Sequence, residues 1–333
     1  MALTDLDKTL LGRLADGRFH SGAELAETVG VTRATVWNRV RAMSETLGLD
    51  VTALPGRGYR LASPLELLCE DHIRSGLHRE VAPLMGECHL FHEIGSTNSH
   101  LLEMAAAQGI PEGTVCLAER QRAGRGRMGR EWISPFGSNI YLSVFWRFDE
   151  PSQLAGLSLA VGVAVIRALE ANGCPGVRLK WPNDILWEFA KLGGILIEVA
   201  GEAHGSCTAV IGLGLNRVLP DAAASGIDQP WTDLGRATGR MPPPRNQLIA
   251  ALLNELLPML KGYPAKGLAR YLPEWRRAHA CQGQMATLHF GESAVEGRIV
   301  DVTDEGLLVL ECGGAGQHRT FASGDVRLRV KMP

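Results

Sequence analysis

The spacing of hydrophobic and polar positions changes twice along the chain, and these changes divide it into three regions. In residues 1–62 apolar positions recur every three or four residues, which predicts short helices. Residues 63–278 alternate strand-like runs with longer helical runs, which predicts a central α/β or α+β domain. In residues 279–333 short alternating strands are separated by Gly, Asp and Glu turns, which predicts a small antiparallel barrel.

The first region predicts a winged helix-turn-helix. Leucines at helical spacing fill the segment LTDLDKTLLGRL, and Ser21 with Glu24 three positions later has the arrangement of a capping box. Gly30 supplies a turn, and Thr32 opens a second amphipathic helix. The segment VTALPGRGYRL then predicts a hairpin with its tip at residues 55–58.

The charge of this region favours DNA binding. Residues 31–61 carry five arginines and two acidic residues, and the arginines fall on the predicted recognition helix and on the hairpin. A helix-turn-helix can also serve as a protein–protein element, and that alternative stays open. The predicted DNA contacts are Thr32, Arg33, Thr35, Arg39, Arg57 and Arg60.

The amino-acid composition excludes some classes of protein but does not indicate a function. The 333 residues are 45% hydrophobic and 21% charged with a net charge of −2, which is ordinary for a soluble globular protein. The seven cysteines are scattered without a C-x-x-C pair, which argues against a disulfide framework or a thiolate zinc site. Charged residues interrupt the N-terminus, and Ser158 and Arg167 break the most apolar run. We therefore expect a cytoplasmic protein with no membrane contact.

The segment GRGRMGREW, residues 124–132, matches the dinucleotide pattern G-x-G-x-x-G. That fingerprint needs a strand before it and a helix directly after it. The strand is present, but Pro135 and Gly137 follow where the helix would begin. The interpretation as a dinucleotide fold therefore fails, and the chain contains no P-loop motif.

Three glycines and three arginines in one strand-to-strand loop suggest an anion site. Glycine permits close backbone approach to a ligand, and arginine offers a charged fork for carboxylate or phosphate oxygens. We expect such a loop to become ordered when an anion binds. A solvated basic loop is the alternative, and this segment alone does not decide between them.

Two further segments carry candidate chemistry. In KWPNDILWEFAKLGG, Asn183 and Asp184 could bind hydrated Mg²⁺ or a nucleotide hydroxyl. Lys191 lies beside a double glycine at the start of an apolar strand, although a lysine in such a place is often a surface residue. In EIGSTNSHLLEMA, residues 96–98 are Ser, Thr and Asn before a helix; one of them caps it, and all three could face a polar ligand.

Several motifs occur together in one order: STN before a helix, Q-x-A-G-R-G-R-x-G-R-x-W, KWPND, K-L-x-G-I-L-x-E and G-x-G-x-N. In this combination the chain resembles the bacterial biotin protein ligases. With the winged helix it resembles the bifunctional kind, ligase and biotin-operon repressor in one. The resemblance covers essentially the whole chain. It departs at Met128, where a basic or polar residue is typical, so only the charge at the loop tip is in doubt.

The resemblance implies the fold and the domains. It implies a winged helix in residues 1–62, a biotin- and ATP-binding catalytic domain with a mixed sheet like that of class II synthetases in residues 63–278, and a small SH3-like β-barrel in residues 279–333. The fold class expected is thus α+β and multidomain.

The resemblance also implies a reaction with its substrates and partners. Biotin and ATP, with Mg²⁺, give biotinyl-5′-AMP, and the biotinyl group passes to one lysine of a biotin carboxyl carrier domain of acetyl-CoA carboxylase or a similar enzyme. No tightly bound metal is expected. The adenylate would act as corepressor, and the protein would bind operator DNA as a homodimer when biotinyl-AMP is bound.

Residue roles follow by matching the motifs. The residues matched to catalysis are Arg127, Lys191 and Asp184, with Asp184 also the candidate for the Mg²⁺ that accompanies ATP. Those matched to biotin are Ser96, Thr97, Asn98, Gln121, Arg125, Gly126, Arg127, Trp132 and Lys191. Those matched to the nucleotide are Arg125, Arg127, Asn183, Lys191, Asn216 and Trp231.

Two rival functions stay open at this point. A lipoate or octanoate ligase shares the adenylate chemistry but has no polar ureido group to satisfy, so the polar cluster around Gln121 speaks against it. A transcription factor that only senses a ligand would not need Arg127, Lys191 and the KWPND segment.

Overall fold

The computed structural model describes residues 3–201, 205–290, 293–313, 316–324 and 326–330. The outer ends of the predicted first and third regions, residues 1–2 and 331–333, lie outside this part of the chain. The α-helices within it are α1 (Asp5–Leu14), α2 (Gly22–Val29), α3 (Arg33–Leu47), α4 (Glu70–Ser75), α5 (Thr97–Gln108), α6 (Leu157–Ala171), α7 (Asp221–Ala224), α8 (Leu234–Thr238), α9 (Arg245–Lys266) and α10 (Leu272–Ala278).

The strands form three sheets. They are β1 (Val51–Leu54), β2 (Gly58–Leu61), β3 (Cys88–Phe91), β4 (Val115–Ala118), β5 (Ile140–Phe148), β6 (Arg178–Lys180), β7 (Asp184–Trp187), β8 (Ala190–Gly201), β9 (Cys207–Leu215), β10 (Met285–Phe290), β11 (Ser293–Val302), β12 (Leu308–Glu311), β13 (His318–Phe321) and β14 (Val326–Val330).

The first region folds as the predicted winged helix, with α1 to α3 followed by the β1–β2 hairpin. Each helix begins at a polar cap: Thr4 forms a capping box with Asp7, and the side chains of Ser21 and Thr32 accept backbone hydrogen bonds at the starts of α2 and α3. Gly30 ends α2 in the left-handed conformation, which gives the tight turn into α3. The inward residues of the three helices share one hydrophobic cluster.

The central region contains a seven-stranded sheet in the order β3-β4-β5-β9-β8-β7-β6. Strands β3 and β4 are parallel and the other neighbours are antiparallel, so the sheet is mixed, as expected. Helix α6 is buried along nearly its whole length and packs on α9. That packing explains the most apolar run of the sequence, and within the described residues no helix is long and apolar enough to cross a bilayer.

The last region forms a five-stranded antiparallel sheet in the order β13-β12-β11-β10-β14. It is attached to the central domain through Trp181, whose indole nitrogen donates to the carbonyl of Gly306 over 3.0 Å, and through the backbone pairing of Ala280 with Leu179. The predicted fold class, three parts of α+β type in this order, is confirmed. The exact domain boundaries stay a prediction.

One residue of the central region belongs to the core of the winged helix. Phe136 lies in the connection between β4 and β5, is 3% exposed, and is buried in the same cluster as leucines of α1. The segment between β2 and α4, which connects the winged helix to the central domain, is fixed nearby. The backbone nitrogen of Leu68 donates to Glu119, and Glu119 pairs with Arg245 at 2.5 Å in the interior. The winged helix is thus packed on the segment that follows the glycine–arginine loop.

Candidate active site

One cavity of about 690 Å³ opens at the ends of β4, β7, β8 and β9, a size typical of small-molecule sites. Every residue that the sequence predicted for biotin, nucleotide or catalysis lines it. They come from five separate segments of the chain, and the C-terminal sheet contributes Leu328 and Arg329. The predicted residues are Ser96, Thr97, Asn98, Gln121, Arg125, Gly126, Arg127, Trp132, Asn183, Asp184, Lys191, Asn216 and Trp231.

The glycine–arginine loop, residues 124–132, folds back on itself as a narrow hairpin. The Gly126 nitrogen donates to the Arg130 carbonyl over 2.7 Å, and the Trp132 nitrogen donates to the Gly124 carbonyl over 2.9 Å. At the tip Met128 has a positive φ of 57° and is 51% exposed. No helix follows the loop, in agreement with rejection of the dinucleotide fold.

Arg127 connects this loop to two other parts of the protein. Its guanidinium donates to Oδ1 of Asn183 over 3.5 Å, and to backbone carbonyls of Ser323 and Gly324 in the loop before β14. The Gly324 contact measures 2.6 Å. The glycine–arginine loop, the KWPND segment and the C-terminal sheet therefore meet at one guanidinium.

Trp132 forms an apolar wall of the cavity and explains a glycine motif. A Cβ atom at Gly214 would lie 2.5 Å from the Trp132 ring, and one at Gly194 would lie 3.6 Å from it. Only glycine at position 214 lets the indole lie flat on β9. The second glycine of G-x-G-x-N thus makes room for Trp132, and the first, Gly212, makes room for Asn98. The Trp132 Nε1 atom is buried and has no hydrogen-bond partner in the described part of the chain.

The predicted polar cluster is assembled at the start of α5. Ser96 caps the helix through the Ser99 nitrogen. Gln121 Oε1 accepts from both the backbone nitrogen and the hydroxyl of Thr97, over 2.9 and 3.1 Å. Ser143 on β5 donates to Thr97 and Asn98 at 2.7 and 2.6 Å. These side chains fix one another, which presents a preformed polar surface to a ligand.

A carboxylate outside the predicted set completes this cluster. Glu198 on β8 accepts from the Asn98 side-chain nitrogen over 2.8 Å and from Arg125 over 3.0 Å. Arg125 also donates to the Ser99 hydroxyl over 3.0 Å. One carboxylate thus joins the polar cluster at α5 to the glycine–arginine loop.

Lys191 is paired within the cavity rather than directed into solvent. Its Nζ lies 2.6 Å from Oδ1 of Asp184, and Lys180 Nζ lies 4.0 Å from Oδ2 of the same carboxylate. Asn183 is fixed by a hydrogen bond to the carbonyl of Ile195 over 2.6 Å. Both lysines pair with the one carboxylate of Asp184, and Arg127 reaches the neighbouring Asn183, so three cations meet one acid around residues 183–184 and this part of the cavity favours an anion.

Trp231 reaches the cavity because its segment pairs with the start of β8. The Lys191 nitrogen donates to the Pro230 carbonyl and the Thr232 nitrogen donates to the Lys191 carbonyl, each over 2.9 Å. Asn216 is 5% exposed and donates to the Thr232 carbonyl over 3.1 Å. The predicted nucleotide residues Lys191, Asn216 and Trp231 are therefore neighbours.

None of the seven cysteines is among the described residues that line the main cavity. All seven are free thiols, and burial raises the pKa of Cys88 and of Cys281 to about 11. A thiol with such a pKa holds little thiolate near pH 7. His89 lies near Glu87 and the His100 ring, and no group of three or more metal-binding side chains occurs among the described residues.

The predicted DNA contacts divide into two sets. Arg33 is exposed on α3, and Arg57 and Arg60 of the hairpin lie over the Phe19 ring at 4.3 and 4.9 Å. Arg39 instead faces α1, where its guanidinium lies 3.7 Å from the buried Asp7. Thr32 and Thr35 hydrogen-bond to each other at the start of α3.

The outer face of α3 carries Trp37, which was not predicted, and Arg41, which was counted among the basic residues of the recognition helix but not among the DNA contacts. Trp37 is 48% exposed, and Arg41 lies one turn further with its guanidinium 5.6 Å from the Trp37 ring. Helical spacing of four could have identified both, because residues 33, 37 and 41 share one face.

Family models match the same three parts of the chain. Residues 8–60 match an HTH domain, residues 90–216 match the biotin/lipoate A/B protein ligase family, and residues 283–329 match the biotin protein ligase C-terminal domain. The fold and the cavity thus define a class, protein ligases of the biotin and lipoate type that carry a DNA-binding domain.

The chain also matches whole proteins over nearly their full length. The chain is 36% identical to the bifunctional ligase/repressor BirA of Salmonella typhimurium, over 98% of this chain and 98% of that protein. It is 36% identical to BirA of Escherichia coli, over 96% of each. A solved biotin protein ligase from Aquifex aeolicus, in complex with biotin and ATP, aligns with a TM-score of 0.61 at 25% identity, covering 74% of this chain and 99% of that one.

The chain belongs to the family of bifunctional biotin ligase/repressors. The predicted family and enzyme class are confirmed, and the rival assignments to a lipoate ligase and to a purely ligand-sensing regulator are set aside.

Proposed function

We propose that the main cavity forms biotinyl-5′-AMP from biotin and ATP. The observation that carries this proposal is that one cavity joins a preformed polar cluster, an aromatic wall and a cationic end. The first suits a ureido group, the second a ring and its aliphatic tail, and the third a carboxylate meeting a triphosphate. In the reaction a carboxylate oxygen bonds to the α-phosphorus and pyrophosphate leaves.

The position of each residue in the cavity suggests which part of the substrates it would contact. Thr97, Asn98 and Gln121 would hold the ureido group, and Trp132 would cover the apolar part of biotin. Arg127 and Lys191 lie at the cationic end, where they would neutralise negative charge that gathers on the phosphoryl oxygens. Because two anions must approach each other, this neutralisation is the main electrostatic task of the site.

Mg²⁺ is proposed to arrive with ATP. Magnesium is commonly held by one or two carboxylates together with substrate phosphates, and Asp184 offers one carboxylate beside Asn183. That donor set fits an ion shared with a nucleotide. The Asp184 carboxylate would then contact the ion and pair less closely with Lys191. The Lys191 ammonium group would in turn be able to contact the phosphates.

The second half-reaction requires no nucleophile from this chain. The mixed anhydride is already an activated acyl group, so the amine of a carrier lysine attacks the acyl carbon and AMP leaves. The partner proposed is a biotin carboxyl carrier domain of acetyl-CoA carboxylase or a similar enzyme. The high pKa of the buried thiols is consistent with direct transfer.

The winged helix is proposed to bind operator DNA. Exposed arginines on α3 and on the hairpin provide phosphate contacts at the two places where a winged helix meets DNA. Two half-sites would be bound by a homodimer that forms when biotinyl-AMP occupies the cavity. Sedimentation at micromolar protein, with and without biotin and ATP, tests this regulation, and an unchanged monomer would rule out ligand-driven dimerisation.

Biotin transfer is tested with labelled biotin, ATP, Mg²⁺ and a purified carrier domain. The label should reach the carrier only when both ATP and Mg²⁺ are present, and a carrier with its target lysine replaced by arginine should stay unlabelled. Octanoate in place of biotin serves as the matched control and should give no transfer. Labelling that needs no ATP, or that prefers octanoate, would refute the proposal.

A further inference from the structure

Trp231 is fixed by its backbone but not by burial of its ring. The backbone pairing of its neighbours Pro230 and Thr232 with Lys191 places it at the edge of the main cavity. The side chain is only half-buried. A half-buried tryptophan ring can adopt several rotamers. A further contact must therefore fix the orientation of the Trp231 ring if a planar ligand group is to stack on it.

Arg236 on α8 supplies that restraint. Its guanidinium carbon lies 4.2 Å from the centroid of the Trp231 ring. Two carboxylates hold the guanidinium there: Nη2 lies 2.7 Å from Asp221, and Nε lies 3.3 Å from Asp233. Asp233 is 3% exposed at its side chain and also caps α8 through the Arg236 nitrogen.

Of Trp231 and Arg236, only Trp231 lines the main cavity. Because Arg236 lies over the Trp231 ring without lining the cavity, we infer that the guanidinium covers the face of the indole that is turned away from the cavity. Stacking of a cation on one face of an indole leaves the opposite face for a second planar group. The Arg236 guanidinium and the Trp231 indole are thus stacked, and the free face of the indole is directed to the cavity.

We propose that Arg236 is a positioning residue for the purine base of the nucleotide. It holds the Trp231 ring in the orientation in which the base stacks on it. The inference rests on the proposed function, in which ATP occupies this end of the cavity. Since Arg236 meets no substrate itself, its effect is confined to nucleotide binding and does not extend to biotin.

The kinetic test compares Arg236→Ala with the full-length wild-type protein. An unrestrained Trp231 loses part of its stacking contact, so KM for ATP should rise about three- to tenfold. KM for biotin and kcat should each stay within about twofold. Arg240→Ala is the matched control, because Arg240 is exposed nearby and contacts the carbonyl of Gly173 instead; it should leave all three constants unchanged.

A double-mutant cycle separates positioning from a structural effect. In a Trp231→Ala background, Arg236→Ala should change KM for ATP by less than about twofold, because the ring it positions is gone. Arg236→Lys, which keeps a cation but loses the fork that meets two carboxylates, should lie between the wild type and Arg236→Ala. If Arg236→Ala does not fold, Arg236→Gln tests the same loss of charge.

Three results would overturn the inference: an unchanged KM for ATP in Arg236→Ala or Arg236→Gln, an equal rise in KM for biotin, or an undiminished effect in the Trp231→Ala background. Failure of the proposed function is distinguishable, because the wild-type protein itself would then show no ATP-dependent transfer of biotin.

Discussion

Lys191 and Asp184 form an ion pair inside the main cavity, with Nζ and Oδ1 2.6 Å apart. The pair keeps a cation and an acid together in the ligand-free site, where each compensates the charge of the other. Binding of a triphosphate with its ion provides new partners for both groups. The pair therefore makes specific predictions for mutants of the lysine.

Lys191→Ala should slow adenylate synthesis. Removal of one group that neutralises charge in a transition state typically costs about 10²- to 10³-fold in kcat, and we expect a loss in this range. Release of pyrophosphate in the absence of a carrier measures the step directly. Lys261→Ala, at an exposed position of α9, is the control. A Lys191→Ala protein with a normal rate would show that the lysine has no catalytic role.

Arg127→Gly should release the adenylate into solution. The substitution removes the guanidinium that contacts Asn183 and Gly324 in the ligand-free site and that would donate charge-assisted hydrogen bonds to the phosphoryl oxygens of the bound adenylate. Loss of such charge-assisted bonds corresponds to roughly 10- to 100-fold faster dissociation. Labelled biotin on an unrelated lysine-rich protein added to the assay reports the leak. Label confined to the carrier, at the wild-type level, would contradict this role.

Glu198→Ala and Glu198→Gln should differ. Alanine removes the acceptor of the buried Asn98 amide and the partner of Arg125, so KM for biotin should rise about tenfold. Glutamine keeps an oxygen for Asn98 and loses only the charge near the partly exposed Arg125, so a rise of about two- to threefold is expected. Steady-state kinetics with varied biotin distinguishes the two. Equal effects would mean that the carboxylate acts only through its charge.

Phe136→Ala should destabilise the winged helix although residue 136 lies in the central region. Truncation of a buried phenylalanine costs about 3–5 kcal/mol. The thermal transition that includes the winged helix should therefore fall, and Phe136→Leu should lose less than half as much. A melting curve identical to that of the wild type would show that this ring contributes nothing to the shared core.

The residues of the cavity could be predicted because the order and spacing of their motifs resemble those of the biotin protein ligases, and this resemblance supplied the roles of Gln121, Asn216 and Trp231. Gly212 and Gly214 precede Asn216 at fixed spacing, and Ser96 precedes a helix. The polar segment of residues 96–98 also predicted a helix start, and α5 begins there with Ser96 as its cap. Local patterns are sufficient here because the motif residues lie at the ends of strands and helices.

Contacts between distant parts of the chain could not be predicted. Phe136 lies in a loop, and nothing in its neighbourhood indicates that its ring completes the core of another domain. Arg39 has the charge expected of a DNA contact, but its direction depends on Asp7 of α1. Glu198 is visible in the motif K-L-x-G-I-L-x-E, yet its two partners come from other segments. Such pairings depend on tertiary packing rather than on spacing.

In the proposed reaction the glycine–arginine loop closes over the mixed anhydride and shields it from water. A crystal structure of the protein with biotin and ATP tests this closure most directly. We expect Arg125 and Arg127 beside the newly formed acyl phosphate, with Trp132 covering the biotin ring and Arg127 moved from the carbonyls of Ser323 and Gly324. A loop that points into solvent, away from both ligands, would contradict it.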